Sequence, residues 1–155
     1  MKKKNPVVHF EMPASDKKRM ADFYSEAFGW ESRFLGEEMG NYVTVSTAET
    51  DDNGMILQPG AINGGFYQRS ADMPSNCPSL VIAVEDIKEH INIVNKAGGQ
   101  VLTEPMDIPG VGTFASFRDT EGNVCSILQP LMTSGFSASQ NENAEVEEFG
   151  MTGEI

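Results

Sequence analysis

Cysteine is scarce: Cys77 and Cys125 are the only two in 155 residues. They lack Cys-x-x-Cys spacing, so a dense disulfide frame is excluded, and two reduced, mostly buried thiols of a cytoplasmic protein are expected. Basic residues are scarce as well. Lys plus Arg number 11 against 23 Asp plus Glu, a net charge of −12. Nucleic-acid backbones and anionic membranes are recognised by basic faces, so neither is an expected partner. No window holds the ~18 apolar residues of a membrane span. Met1–Lys4 is basic but is followed by Asn5, Pro6, His9 and Glu11 rather than by an apolar signal core. Histidine occurs only at positions 9 and 90. Phosphate-cradling Gly-x-x-x-x-Gly-Lys, dinucleotide Gly-x-Gly-x-x-Gly, zinc-binding His-Glu-x-x-His and nucleophile-elbow Gly-x-Ser-x-Gly patterns are all missing. A Ser79–His9–Glu11 triad can be written on paper, but spacing gives it no support.

What is present is enough for a core. Apolar residues make up 39% of the chain, and a chain of this length buries roughly 70% of its unfolded surface. Val8, Phe10 and Met12 alternate with His9 and Glu11, the period of a half-buried strand. Ser15 or Asp16 then offers an N-cap. Met20, Tyr24, Ala27 and Phe28 form one stripe of a helix over 17–28, and Gly29 stops it. Strands follow at 30–35, 42–47 and 64–69, with a turn at Asp51-Asp52-Asn53-Gly54. Residues 55–63 are ambiguous and 70–78 read as a linker.

The same order then recurs. Ser79–Val84 is a strand, and Asp86 with Glu89 opens a helix striped by Ile87, Ile91, Val94 and Ala97. Gly98-Gly99 ends that helix, and strands are predicted at 100–103, 112–118 and 123–129. The chain therefore reads strand–helix–strand–strand–strand twice, with modules 6–69 and 79–130 in one domain over 1–130. Two such units, each with its helix on one face of a curled sheet, leave an open cup between them. Residues 131–155 carry five Glu and no Lys or Arg. They read as a solvated acidic tail, or as a segment in which Phe136, Val146, Phe149, Met151 and Ile155 dock on the body or on a partner.

The pattern resembles a known family. Val8-His9-Phe10-Glu11, Asp16, Phe23-Tyr24 and Phe28-Gly29-Trp30 look like the opening module of the vicinal oxygen chelate superfamily, which includes glyoxalase I, extradiol dioxygenases and bleomycin-resistance proteins. Val84-Glu85-Asp86, Ala97-Gly98-Gly99, Pro109-Gly110-Val111-Gly112 and Phe117-Arg118-Asp119-Thr120-Glu121-Gly122-Asn123 match the second module. The last block is the most specific. The resemblance covers residues 6–130. It implies an α+β fold: two tandem βαβββ modules pairing into a cup-shaped, mostly antiparallel sheet with helices outside. It also implies a homodimer. It does not imply one reaction.

Metalloenzymes of that superfamily take ligands from the first and last strand of each module. By resemblance the four positions here are His9, a residue among Gly64, Gly65 and Phe66, then Ser79 and Ser126. One imidazole and two hydroxyls do not hold a divalent ion, so no cofactor is expected; His9 and Glu11 are the only weak candidates for a metal. Alternation places Val7, His9 and Glu11 toward the cup and Val8, Phe10 and Met12 toward the helix. It likewise places Ser79, Val81, Ala83, Ser126 and Leu128 inside, with Cys125 and Ile127 under a helix. The expected substrate-binding set is His9, Glu11, Tyr42, Phe66, Ser79, Phe117 and Ser126, with Tyr67 as a further aromatic. His90 reads as a partly exposed helix residue. The expected activity is binding of a small organic molecule in the cup without metal. The alternative is a metal-dependent lyase or dioxygenase of the glyoxalase I or extradiol type, in which His9 and Glu11 are catalytic.

Overall fold

A computed structural model of the chain describes residues 2–131. The acidic tail from 132 onward, with its docking residues, lies outside the described residues. Among these residues the first module comprises β1 (Val7–Ala14), α1 (Lys17–Phe28), β2 (Glu31–Phe34), β3 (Val43–Ser46) and β4 (Asn63–Gln68). The second comprises β5 (Ser79–Ala83), α2 (Ile87–Lys96), β6 (Gln100–Val101), β7 (Met106–Ile108), β8 (Gly112–Arg118) and β9 (Val124–Pro130). The short β7, which the periodicity did not predict, pairs with β8. Its three residues are followed at once by Pro109-Gly110, too brief a run to show alternation.

Local chemistry sets the element ends. The Asp16 side chain accepts the Arg19 N–H, and the Asp86 side chain accepts the Glu89 N–H, so both helices carry the expected cap. Gly29, at φ 70°, supplies the left-handed residue after α1. The most family-specific block, Asp119 to Asn123, is turn chemistry. Asp119 Oδ1 accepts the N–H groups of Glu121 and Asn123, while Oδ2 accepts from the Asn123 amide.

The strands form one open mixed sheet in the order β2-β3-β4-β1-β5-β9-β8-β6. β1–β4 and β5–β9 are parallel, and the other pairings are antiparallel. The modules meet edge to edge through β1 and β5, with Phe10 opposite Leu80 and Glu11 opposite Ser79. Each helix covers its own core. Under α1, Ala21 packs with Val43, Val45 and Phe66, flanked by Met12, Met20, Tyr24 and Trp30. At α2, Ile87 packs with Val84, Ala115 and Ile127, flanked by Ile91 and Phe117.

These cores correct two expectations. Phe66 and Phe117 do not line the cup. On β4 the inward residues are Asn63, Gly65 and Tyr67, so Phe66 faces α1, fully buried opposite Met12 and Val43. On β8 the inward residues are Phe114 and Ser116, so Phe117 turns toward the α2 cluster. A strand residue one position off changes face, and aromatic character alone does not fix that parity. Val7 also leaves the cup. The β1–β5 register shifts between Val7 and His9, and Val7 is exposed. Phe66→Ala is expected to lower stability by about 3–5 kcal/mol in denaturant unfolding, as for a buried aromatic in a packed core.

Candidate functional site

The concave face of the sheet encloses a cavity of about 730 Å³, within the usual range for small-molecule sites. His9, Glu11, Tyr42, Ser79 and Ser126 all line it, as predicted from sequence. Tyr67, Thr44, Phe114, Ser116, Val81 and Leu128 line it too. The mouth is formed by Leu35, Glu38–Gly40, Met73–Ser75 and Met106–Pro109. The sequence reading missed Ser116 and the rim methionines Met39, Met73 and Met106. Ser116 stands two residues from Phe114 on one strand face, a signal legible once that face is known. Met73 lies in a loop, and Met39 and Met106 lie in three-residue elements too short to show periodicity.

The polar groups form two poles. On the first module, His9 Nε2 and the Tyr42 hydroxyl are hydrogen-bonded at 2.9 Å, and the Tyr42 hydroxyl also bonds to the Glu11 carboxyl. On the second module, the Ser116 and Ser126 hydroxyls are 3.3 Å apart and buried. Ser79 lies between the poles, directly opposite Glu11 across the seam.

The module repeat identifies the fourth ligand position. Asp16 caps α1 seven residues after His9, and Asp86 caps α2 seven after Ser79, so His9 and Ser79 are counterparts. Glu11 pairs with Gly65 as Val81 pairs with Ser126, so Gly65 is the counterpart of Ser126. A Cβ built on Gly65 would meet the Tyr42 hydroxyl at 2.0 Å. The phenol therefore fills the space that a side chain at position 65 would occupy. Among the described residues no three His, Cys, Asp or Glu side chains gather as a metal site. The donors at these four positions do not fit the metal set of the resembling enzymes.

Burial governs the charges. Desolvation lowers the His9 imidazole to about 4 and raises the Glu11 carboxyl to about 7, the latter opposed by its bond to Tyr42. Burial, with Glu11 next, pushes the Tyr42 phenol well above its ordinary range. A carboxyl held near neutrality beside a neutral imidazole can take or give a proton at physiological pH. His90 stands apart on α2, half-buried, its Nε2 hydrogen-bonded to Asn5.

With this geometry established, the comparisons with known proteins fall into place. Residues 7–127 match the model of the Glyoxalase/Bleomycin resistance protein/Dioxygenase superfamily. The chain belongs to this superfamily. A glyoxylase-like domain-containing protein of Didymella fabae is 34% identical over 120 residues, 76% of this chain and 88% of that protein. The anthracycline biosynthesis protein DnrV of Streptomyces peucetius is 26% identical over 141 residues, and the match spans only 47% of its length. A methylmalonyl-CoA epimerase solved with methylmalonyl-CoA and NH4+ superposes at TM-score 0.60 with 15% identity, over 84% of this chain and 97% of that one. The epimerase of Mycobacterium tuberculosis gives TM-score 0.57 at 11% identity, over 81% and 87%. At these identities the superpositions establish the vicinal oxygen chelate fold alone.

The two displaced pKa values yield a test. From pH 4.5 to 7 the folded Glu11 holds a proton that the unfolded chain has released, so its contribution falls as pH rises. From pH 6.5 down to 4 the unfolded His9 takes up a proton that the folded state refuses, so its contribution falls as pH drops. Between about 4.5 and 6.5 the two slopes oppose and nearly cancel. Glu11→Gln should leave the His9 slope exposed, a gain of stability from pH 4 to 6.5 of about 3 kcal/mol at most. His9→Gln should show the reverse slope. Urea unfolding across that window reads both, and equal slopes in the two variants would refute the assignment.

Proposed function

We propose that the protein binds a small, largely apolar organic molecule in the cup without a metal ion. One observation carries the reading: Tyr42 lies over Gly65, where the resembling enzymes place a ligand, and it bonds to the one histidine of the set. Hydroxyls stand at two further positions, Ser79 and Ser126. Aliphatic and aromatic walls with few converging polar groups suit an organic ligand. Protein purified without chelator is expected to contain only substoichiometric metal by elemental analysis; one Ni, Zn, Fe or Mn per chain overturns the reading. The uncharged dye Nile red is expected to bind at one site per chain. Ser79→Trp, which sets an indole across the cavity floor, should abolish that binding.

The same reading takes the protein to act as a cytoplasmic homodimer. Cys77 and Cys125 are both free thiols, but, against the expected burial, Cys77 is exposed and Cys125 only half-buried. Phe23, Phe28 and Phe34 are 58%, 63% and 55% exposed on α1 and β2, an apolar surface suited to a second copy. Light scattering is expected to give twice the chain mass; a monomer at working concentration removes the dimer.

A further inference from the structure

We infer that the cup selects against negatively charged ligands and takes an uncharged molecule bearing carbonyl or hydroxyl groups. This deepens the proposed binding function and rests on it. The first support is the charge inventory. Glu11 lies on the floor, and Glu38 and Asp107 stand at the mouth, yet no Lys or Arg lines the cavity among the described residues. The ammonium of Lys17 is bonded to the Asn41 carbonyl outside the cavity. Residues 131–155 contain no Lys or Arg at all, so that segment has no cation to contribute. The whole chain carries −12, and its field repels anions before they reach the mouth.

The second support is the backbone. Anion sites without basic side chains are commonly built at helix N-termini. Both α-helices here lie on the convex side against the two cores, and no residue of either lines the cup. An anion entering the cavity would lose its water and gain no compensating charge.

The third support is what the floor does offer. The Ser79, Ser116 and Ser126 hydroxyls and the Tyr42 phenol each both donate and accept, and the His9 imidazole is hydrogen-bonded to that phenol. Such groups complement neutral oxygens on an apolar frame. The solved epimerase binds a CoA ester, a polyanion. It shares this fold, and the cup described here lacks the charges such a ligand requires.

The test uses the full chain and a matched pair, 1-naphthol and 1-naphthyl phosphate, each titrated calorimetrically at neutral pH and low salt and each checked for displacement of Nile red. Naphthol is expected to bind at least about tenfold more tightly, with the gap narrowing as salt is raised. Equal or tighter binding of the phosphate overturns the charge selection while leaving the cup as a binding site. Failure of both to bind, together with failure of Nile red, removes the binding function itself and this inference with it. Met106→Lys places a cation at the mouth on a side chain already 57% exposed, where folding is not at risk. It should raise phosphate affinity relative to naphthol. An unchanged ratio means that the local field does not set the selection, and the inference falls.

Discussion

The antiparallel seam between β1 and β5 is the joint on which the cup depends. Each module by itself is a short curled sheet with one helix on its convex side. Paired through Phe10–Leu80 and Glu11–Ser79, the two become a single surface whose concave face belongs to neither alone. The seam also decides which residues meet. It brings Glu11 opposite Ser79 and His9 opposite Val81, and the parallel pairing of β5 with β9 carries the row on to Ser126. Because side chains alternate with period two, one residue of slip at this joint would send the polar set into the cores and the core set into the cup.

Membership of a superfamily whose relatives carry different descriptions leaves the chemistry to the individual site. Here the signature and the site are separate. The Asp119–Asn123 block identifies the family because its hydrogen bonds build a tight turn, and no residue of that turn lines the cavity. The site is instead described by the residues at its four positions: one imidazole, two hydroxyls, and a glycine beneath a phenol. Tyr42 gives the first-module pole its shape. It joins an imidazole and a carboxyl that burial has shifted in opposite directions, one toward the neutral base and the other toward the neutral acid.

Much of this was readable in the residues. The two helices were marked by aspartate caps and apolar stripes, and the long strands by alternation, so the βαβββ repeat and the inward position of His9, Glu11, Ser79 and Ser126 followed. The register of β4 and β8 was not readable. Nothing in Gly64-Gly65-Phe66-Tyr67 tells which residue pairs with Glu11, so Phe66 was assigned to the wrong face, and Phe117 likewise. The position of Tyr42 over Gly65 was hidden for a related reason. Positions 42 and 65 are far apart in sequence and become neighbours only through β3–β4 pairing. The bulge that removes Val7 from the floor lies just after Pro6, but the alternation of Val8, Phe10 and Met12 runs past it unbroken and does not show it.

The duplicated architecture would, with identical halves, offer a bound molecule two equivalent poses related by the pseudo-twofold axis. The halves have not stayed identical. One end of the cavity holds a titratable network and the other only alcohols, so the two poses differ in energy. A bound molecule with unlike ends would then have a preferred sense, with one end toward the carboxyl and the other away from it. The loss of equivalence between the repeats would thus give a near-symmetric scaffold a direction for whatever it holds.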